Sequence, residues 1–472
     1  MKKKLIALLL LIAVCFTVIP TNSLVAQAAG TETVTVNQWA YSDIMAGECY
    51  GIFPSTWSSM NMTKAITKSQ FKTLLNGVKA KILESECAKE VREERPTIKK
   101  SITVEEALNA FYLVLSNYEY SKEIGFNSKG KPVDFMKKHG IYTGKNGEQK
   151  LTSKCSMEQA VVIASRLISY VYSELDCGSK GFLWEVKSGE NTVYMLGSIH
   201  LADTSIYPFS NKIKQVYAES DALVVEANVL DQQDIASMEK YSFYTDGTTL
   251  KDHVSAETYQ LIIETAKLAG LPESFISIAK PWYLFLLFES LATVGTSQDN
   301  QLSADVGIDM TFIKQASLDQ KPIYAIEGLE KQCQILNSFS DELAEHLMVA
   351  RAEILKAMIN GTADQSTVDT NDVVNLMLDY WEEGDMDSFL ALYYGDSTSE
   401  EALSPEVQAY MNEFQKKFYD DRDQNMADYI DKLLKTEGSN TYFVIVGSAH
   451  YLSENSVLKR LEKKGYQVDI VK

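Results

Sequence analysis

"VYMLGSIHLAD", residues 193–203, is the stretch whose reading decides the fold. An apolar run ends at Gly197, and Ser198, Ile199 and His200 follow it. Nearly the same phrase returns as "FVIVGSAHYLS", residues 443–453, with Gly447 closing the run and His450 three residues on. A short apolar run that stops at glycine reads as a buried strand, and glycine permits a sharp turn or a close neighbour. In open α/β sheets, functional groups collect on the loops at the carboxyl ends of strands. Two copies of strand–Gly–Ser–x–His therefore predict two imidazoles facing one crevice, within reach of a single ion.

Working outward from these phrases, further strand-like runs appear from Phe182 onward: "FLWEV", "ALVVEA", "PIYAIE" and "QVDIV". Helical patterns such as "AETYQLIIETAKLAG" and "SADVGIDMTFIKQAS" lie between them. This alternation predicts an α/β domain over residues 182–472, with its mixed sheet covered by helices. The helical block from about residue 335 to 436 is too long for one crossover and reads as an insertion, a cap or wall over one side of the sheet.

The chain before Phe182 has a different texture. Lys2, Lys3 and Lys4, an apolar run and then Ala26-Gln27-Ala28 form the pattern of an export signal over residues 1–28. No later run reaches the roughly 18–20 apolar residues that span a bilayer. Residues 37–173 read as a small all-α domain of repeated helical modules, with residues 174–181 as a linker. One helix opens at Thr103 with Glu106 three residues on, the spacing of a capping box. Trp39–Ala40, Gly51–Ile52, Ile66–Thr67, Gly140–Ile141 and Met157–Glu158–Gln159–Ala160 together resemble S-layer homology modules. That resemblance implies binding of cell-wall polysaccharide, although the arginine of the family motif is absent from both "ITKSQF" and "CSMEQA". The bland alternative is a degenerate packing module.

Net charge is −19 over 472 residues, and −22 without the three leader lysines. So acidic a body repels phosphate backbones and excludes nucleic acid as a partner. After the leader stand Cys49, Cys87, Cys155, Cys177 and Cys333, without the C-x-x-C spacing of a zinc knuckle. A disulfide among the first four is compatible with export; pairing is not readable from sequence.

The chemistry-bearing residues sit at strand ends. Glu226 closes "ALVVE" and Glu327 closes "PIYAIE", where desolvation is costly unless a cation or hydrogen-bond donors meet the carboxylate. Two histidines with one or two carboxylates make a divalent-metal set for zinc, manganese or cobalt. Asp309 in "VGIDMTF" is a further candidate, or simply an acid at a helix N-terminus. Arg422, among acids in "YDDRDQNMADYI", is either a surface ion pair or an anion clamp. Trp282 and Trp381 read as core aromatics. Neither Ser198 nor Ser448 lies in G-x-S-x-G, so a nucleophile elbow is excluded.

These motifs, in order from "FLWEV" through "GIDMTFIKQA", "YWEEGD" and "DRDQNMADYI" to "YFVIVGSAHYLSENSVLKRLEKKGYQV", resemble the TraB/GumN family, which includes the Tiki metalloproteases. The resemblance covers about residues 182–472. It implies an erythromycin-esterase-like fold, metal-binding or catalytic roles for His200 and His450, and family acids at Glu226, Asp309 and Glu327. The family's Arg-Asn pair falls on Arg422, but Asp423 replaces the asparagine, with Asn425 nearby.

The reading that follows is an exported metal-dependent hydrolase of the cell surface, acting on a peptide or protein. His200, His450 and Glu226 would hold the ion, Glu327 or Asp309 would position or deprotonate water, and Arg422 would steady an oxyanion. The rivals are a non-catalytic wall-associated protein that binds a peptide or pheromone, and a metal-free esterase that uses one histidine as base.

Overall fold

The computed structural model describes residues 36–126, 130–144, 150–294, 302–362, 370–394 and 404–471. The leader expected over residues 1–28 lies outside them. The chain divides into two compact units. One holds the described residues up to Lys180 together with Thr204–Lys214. The other holds Gly181–Asp203 and Gln215–Lys472. Among the described residues no helix is long and apolar enough to cross a membrane.

The first unit is helical: α1 (Tyr41–Cys49), α2 (Lys68–Glu84), α3 (Val104–Leu115), α4 (Pro132–Lys138) and α5 (Met157–Leu175), with a short hairpin of β1 (Ala88–Glu90) and β2 (Tyr118–Tyr120). Three of these helices begin with capping boxes, Thr67 with Gln70, Thr103 with Glu106 and Ser156 with Gln159. Each box satisfies amides that the first helical turn leaves without partners.

The second unit is α/β, as its strand–helix alternation predicts. Six strands, β3 (Phe182–Ser188), β4 (Asn191–Ser198), β5 (Ala222–Val225), β6 (Ile323–Ala325), β7 (Thr441–Gly447) and β8 (Val468–Ile470), form one sheet in the order β6-β5-β7-β4-β3-β8. The sheet is mixed. β6, β5, β7 and β4 run parallel to one another, and β3 is antiparallel to both β4 and β8. β5 is buried throughout and β7 almost so, as continuous apolar runs require when both faces are covered. β6 and β8 close the two edges and are mostly exposed.

The helices that matter for the site are α6 (Pro281–Val294), α7 (Ile308–Asp319), α8 (Gly328–Asn337), α9 (Asp341–Ile359), α10 (Thr370–Glu383), α11 (Asp421–Leu434) and α12 (Ser448–Leu452). α6 packs on α9, and Arg351 of α9 pairs with Glu289 of α6, both side chains 1 % exposed. A π-helical turn, Gln415–Asp420, runs directly into α11. The insertion expected as a cap is helical, and it also contributes side chains to the sheet. Trp381 at the end of α10 is fully buried, and its Nε1 donates to the Gly197 carbonyl at 2.7 Å.

Candidate functional site

The repeated phrase is explained by pairing. β4 and β7 are neighbouring parallel strands, with Gly197 opposite Val446 and Ser198 opposite Gly447. The two Gly-Ser motifs thus lie side by side, staggered by one residue. A Cβ on Gly197 would stand 2.8 Å from Ser448 Oγ and 3.2 Å from Ser448 Cα, so glycine is what allows the second motif to close on the first. Ser448 Oγ then donates to the Ser198 carbonyl at 3.0 Å.

The geometry also explains the second glycine. A Cβ on Gly447 would lie 3.5 Å from Glu226 Oε1, 3.7 Å from His200 Nε2 and 3.7 Å from His450 Cδ2. Residues from three strand ends therefore converge on one point, and the absence of a side chain at Gly447 leaves it open. His200 Nε2 and Glu226 Oε1 are 3.9 Å apart.

An aspartate stands behind each histidine, as an ion-pair contact for His200 and a hydrogen bond for His450. His200 Nδ1 lies 2.8 Å from Asp309 Oδ1, and His450 Nδ1 lies 2.5 Å from Asp423 Oδ1. Asp309 reaches its place because the "GID" turn docks on the first motif. The Ile308 amide donates to the Ile199 carbonyl at 3.2 Å, and a Cβ on Gly307 would meet the His200 carbonyl oxygen at 2.2 Å. Asp309 is also an acid in the first turn of α7, so both of its sequence readings describe one residue. Asp423 and His450 are fully buried, and Asp423 Oδ2 accepts from Ser453 Oγ at 3.3 Å. Asn425, the alternative helper, is exposed.

Arg422 is fully buried, not a surface ion pair. Its Nε and Nη2 grip both oxygens of Glu327 at 2.8–3.0 Å, and Nη2 donates to Glu226 Oε2 at 2.6 Å. Its Cζ sits 5.2 Å from the Phe418 ring centre, within cation–π range. Gln332 Nε2 donates to both carboxylates at 3.3 Å. Glu226 Oε1 accepts from the Gly447 amide at 2.6 Å.

The electrostatics follow. Burial, the largest single influence on Glu226, favours its neutral form. Arg422, His450, His200 and the Gly447 amide outweigh it and hold the carboxyl down at about 2. Burial likewise opposes charge on His200, but Asp309 and Glu226 prevail and raise its pKa. For Asp423 burial wins over His450 and Arg422, and its pKa is raised.

The structure therefore brings all six sequence-predicted residues, His200, His450, Glu226, Glu327, Asp309 and Arg422, into one connected network. Only the first three converge on the open point; Asp309 stands behind His200, and Glu327 is clamped by Arg422. Sequence reasoning missed Asp423 as a partner of His450, having read it as a lost amide. It also missed Gln332 as a donor and the serine pairing that aligns the two motifs.

The donor chemistry suits a divalent ion. His200 Nε2 and His450 Nε2 are buried without a hydrogen-bond partner. A cavity of about 20 Å³, lined by His200, Glu226, Asp309 and Gln332, has room for one ion or water but not a side chain. The disposition is not that of a closed coordination shell. Among the described residues no group of three or more His, Cys, Asp or Glu side chains is arranged to hold a metal. His450 presents carbon Cδ2 to the open point.

Curated relatives include Metalloprotease TIKI1 of Danio rerio, 21 % identical over 321 residues, covering 61 % of this chain and 62 % of that protein. Metalloprotease TIKI2 of Xenopus tropicalis is 22 % identical over 325 residues, covering 61 % and 59 %. The uncharacterized protein YbaP of Escherichia coli (strain K12) is 24 % identical over 154 residues, covering 33 % and 55 %. The chain thus spans about three fifths of the length of these relatives. No solved structure matches it. The model of the TraB/PrgY/gumN family matches residues 182–470, the whole sheet with both histidine motifs and the insertion between them, and the chain belongs to that family.

Proposed function

We propose that the α/β unit is a metal-dependent hydrolase acting on peptides, with His200, His450 and Glu226 as the ligands of a divalent ion. One observation carries this reading: each histidine has an aspartate at Nδ1, 2.8 Å from His200 and 2.5 Å from His450, and both Nε2 atoms are buried without a hydrogen-bond partner, that of His200 lying 3.9 Å from Glu226. An Nδ1–H donated to a carboxylate fixes the tautomer whose Nε2 lone pair is available, the usual arrangement behind metal-ligating imidazoles. Relatives named metalloproteases support the same chemistry.

A divalent ion held there would supply Lewis acidity and lower the pKa of a bound water toward neutrality. The residues of the chain do the rest. Arg422 keeps Glu226 ionised and fixes the directions of Glu226 and Glu327, a role its geometry favours over steadying an oxyanion. Glu226 turns Oε1 toward the open point and stays ionised there, the form a ligand needs. Glu327, engaged through both oxygens, orients Arg422 and not the water. The test is metal analysis of the purified protein together with a peptide-library cleavage assay, with and without chelator. Stoichiometric metal lost in His200→Ala and His450→Ala, and cleavage abolished by chelator, is the expected result. Full metal content in both variants removes the ligand assignment. Metal-free protein that still binds peptide favours the non-catalytic alternative, and chelator-resistant ester turnover favours the metal-free esterase.

For the helical unit we propose attachment to cell-wall polysaccharide, in an exported protein. A cavity of about 200 Å³, lined by Trp39, Ile141, Tyr142, Gln159 and Arg166 among others, supports it. Trp39 is 45 % exposed and offers a sugar-stacking face, beside Arg166, whose guanidinium is oriented by Asp43. Glu158 of the module motif is spent on Asn37, whose amide and side chain both donate to it. Co-sedimentation with purified wall polymer, lost in Trp39→Ala, tests the assignment.

A further inference from the structure

The two serines of the repeated motif are used differently. Ser448 Oγ donates to the Ser198 carbonyl at 3.0 Å and aligns the strands. Ser198 is fully buried, and its own Oγ has no hydrogen-bond partner among the described residues. A hydroxyl carries one donor and two acceptor sites, and folds seldom bury one without use. The sheet register fixes its direction. Ser198 pairs with Gly447 on the parallel strands β4 and β7, and residues paired in this way project from one face of the sheet. Ile445, two residues before Gly447, shares that face with its own partner Val225, and both line the cavity of about 20 Å³. On the same face, the position a Gly447 Cβ would take lies 3.5 Å from Glu226 Oε1 and 3.7 Å from His200 Nε2. The Ser198 side chain therefore stands on the cavity side of the sheet, one strand spacing of about 4.8 Å from Gly447.

We propose that the Ser198 hydroxyl is a further residue of this site, donating a hydrogen bond to the oxygen of a water or hydroxide held at the open point. The proposal rests on the reading of the site as a metal centre. The groups around that point, Glu226 Oε1 and the ligating imidazoles, supply lone pairs. Arg422 and Gln332 direct their donors to the carboxylates. The serine supplies a donor to this face, and a donor there favours the charged, nucleophilic form of the bound oxygen over neutral water. Ser198 forms no covalent bond, and its proton stays on Oγ.

The test loads the full chain with cobalt(II) and titrates fluoride, then thiocyanate, by visible absorption. Fluoride accepts a hydrogen bond where a bound oxygen would, and thiocyanate bound through nitrogen does not. Ser198→Ala is expected to take up cobalt as the wild type does, to bind fluoride about tenfold more weakly and to bind thiocyanate equally well. The metal-free variant is expected to melt no lower than the metal-free wild type, because it loses a hydroxyl that the fold leaves unpaired. Unchanged fluoride affinity, or an equal loss for both anions, overturns the proposal. A metal-free midpoint lower by several degrees also overturns it, since the hydroxyl would then be bonded within the fold. So does loss of cobalt uptake in Ser198→Ala, which would make the serine a ligand. Wild-type protein that takes up no cobalt removes the metal reading and this proposal with it, whereas cobalt uptake with unchanged anion binding removes this proposal alone.

Discussion

Gly447 has an ordinary backbone conformation, φ −52°, that any residue adopts. Its identity answers a need for space, because its missing side chain leaves open the point shared by Glu226, His200 and His450. Gly447→Ala brings its new methyl only into ordinary contact distance, 3.5–3.7 Å. The variant is expected to keep its fold and thermal midpoint while losing metal binding and turnover, read by metal analysis and the peptide assay. The partner of His450 makes a second prediction. Removing a group that orients a ligating histidine typically costs about 10–100-fold in metal affinity. Asp423→Ala is expected to fall in that range in a metal-competition titration, and Asp423→Asn, which keeps an acceptor for Nδ1–H, is expected to lose less. Unchanged affinity in the alanine variant would detach Asp423 from the site. The histidines and Glu226 were legible in the sequence because each follows an apolar run that can only be a strand. Asp423 was not legible, since what it touches depends on a helix arriving from elsewhere in the chain.

That helix is α11, and the π-helical turn before it governs what it presents. The wider turn Gln415–Asp420 shifts the face of the continuing helix. Phe418, Tyr419, Arg422 and Asp423 are all buried. A regular 3.6-residue reading of "YDDRDQNMADYI" sees acids around one arginine and leaves open which side is inward. The insertion was legible as helical but not as a donor of site residues, because hydrophobic periodicity says nothing of where a buried charge finds its partner. The strands were easier, since apolar runs and their glycine stops survive any arrangement of the helices. Elsewhere in the insertion, Arg351 and Glu289 join α9 to α6 as a buried pair. Breaking such a pair from one side leaves a charge in the core and typically costs about 3–5 kcal/mol. Arg351→Met is expected to show a loss of that order in chemical denaturation, and Arg351→Met with Glu289→Leu is expected to recover most of it. Equal losses in the single and double variants would mean that packing, not charge, dominates there.

At the scale of the whole molecule, ion binding and stability are linked. A ligand that binds only the folded state at about 100 times its Kd adds about 2.7 kcal/mol. Thermal melts across a divalent-ion series are therefore expected to rise for the wild type and stay flat for His450→Ala. A parallel rise in both would place the binding elsewhere on this acidic surface. The fold class was legible from the strand–helix alternation. The sheet order was not, because nothing local dictates that the last long strand inserts between β5 and β4 and so brings the two histidine motifs together.

The clamp on Glu226 and Glu327 also bears on how the protein is made. Arg422 follows Glu226 by 196 residues and Glu327 by 95. A growing chain that has delivered β5 and β6 but not α11 carries two carboxylates with no cation to accompany them into a dry interior. Those strand ends stay wet until late in synthesis. A chain cut short before residue 422 lacks both this cation and β7, the strand that joins β5 to β4, so neither carboxylate then has a dry interior to enter.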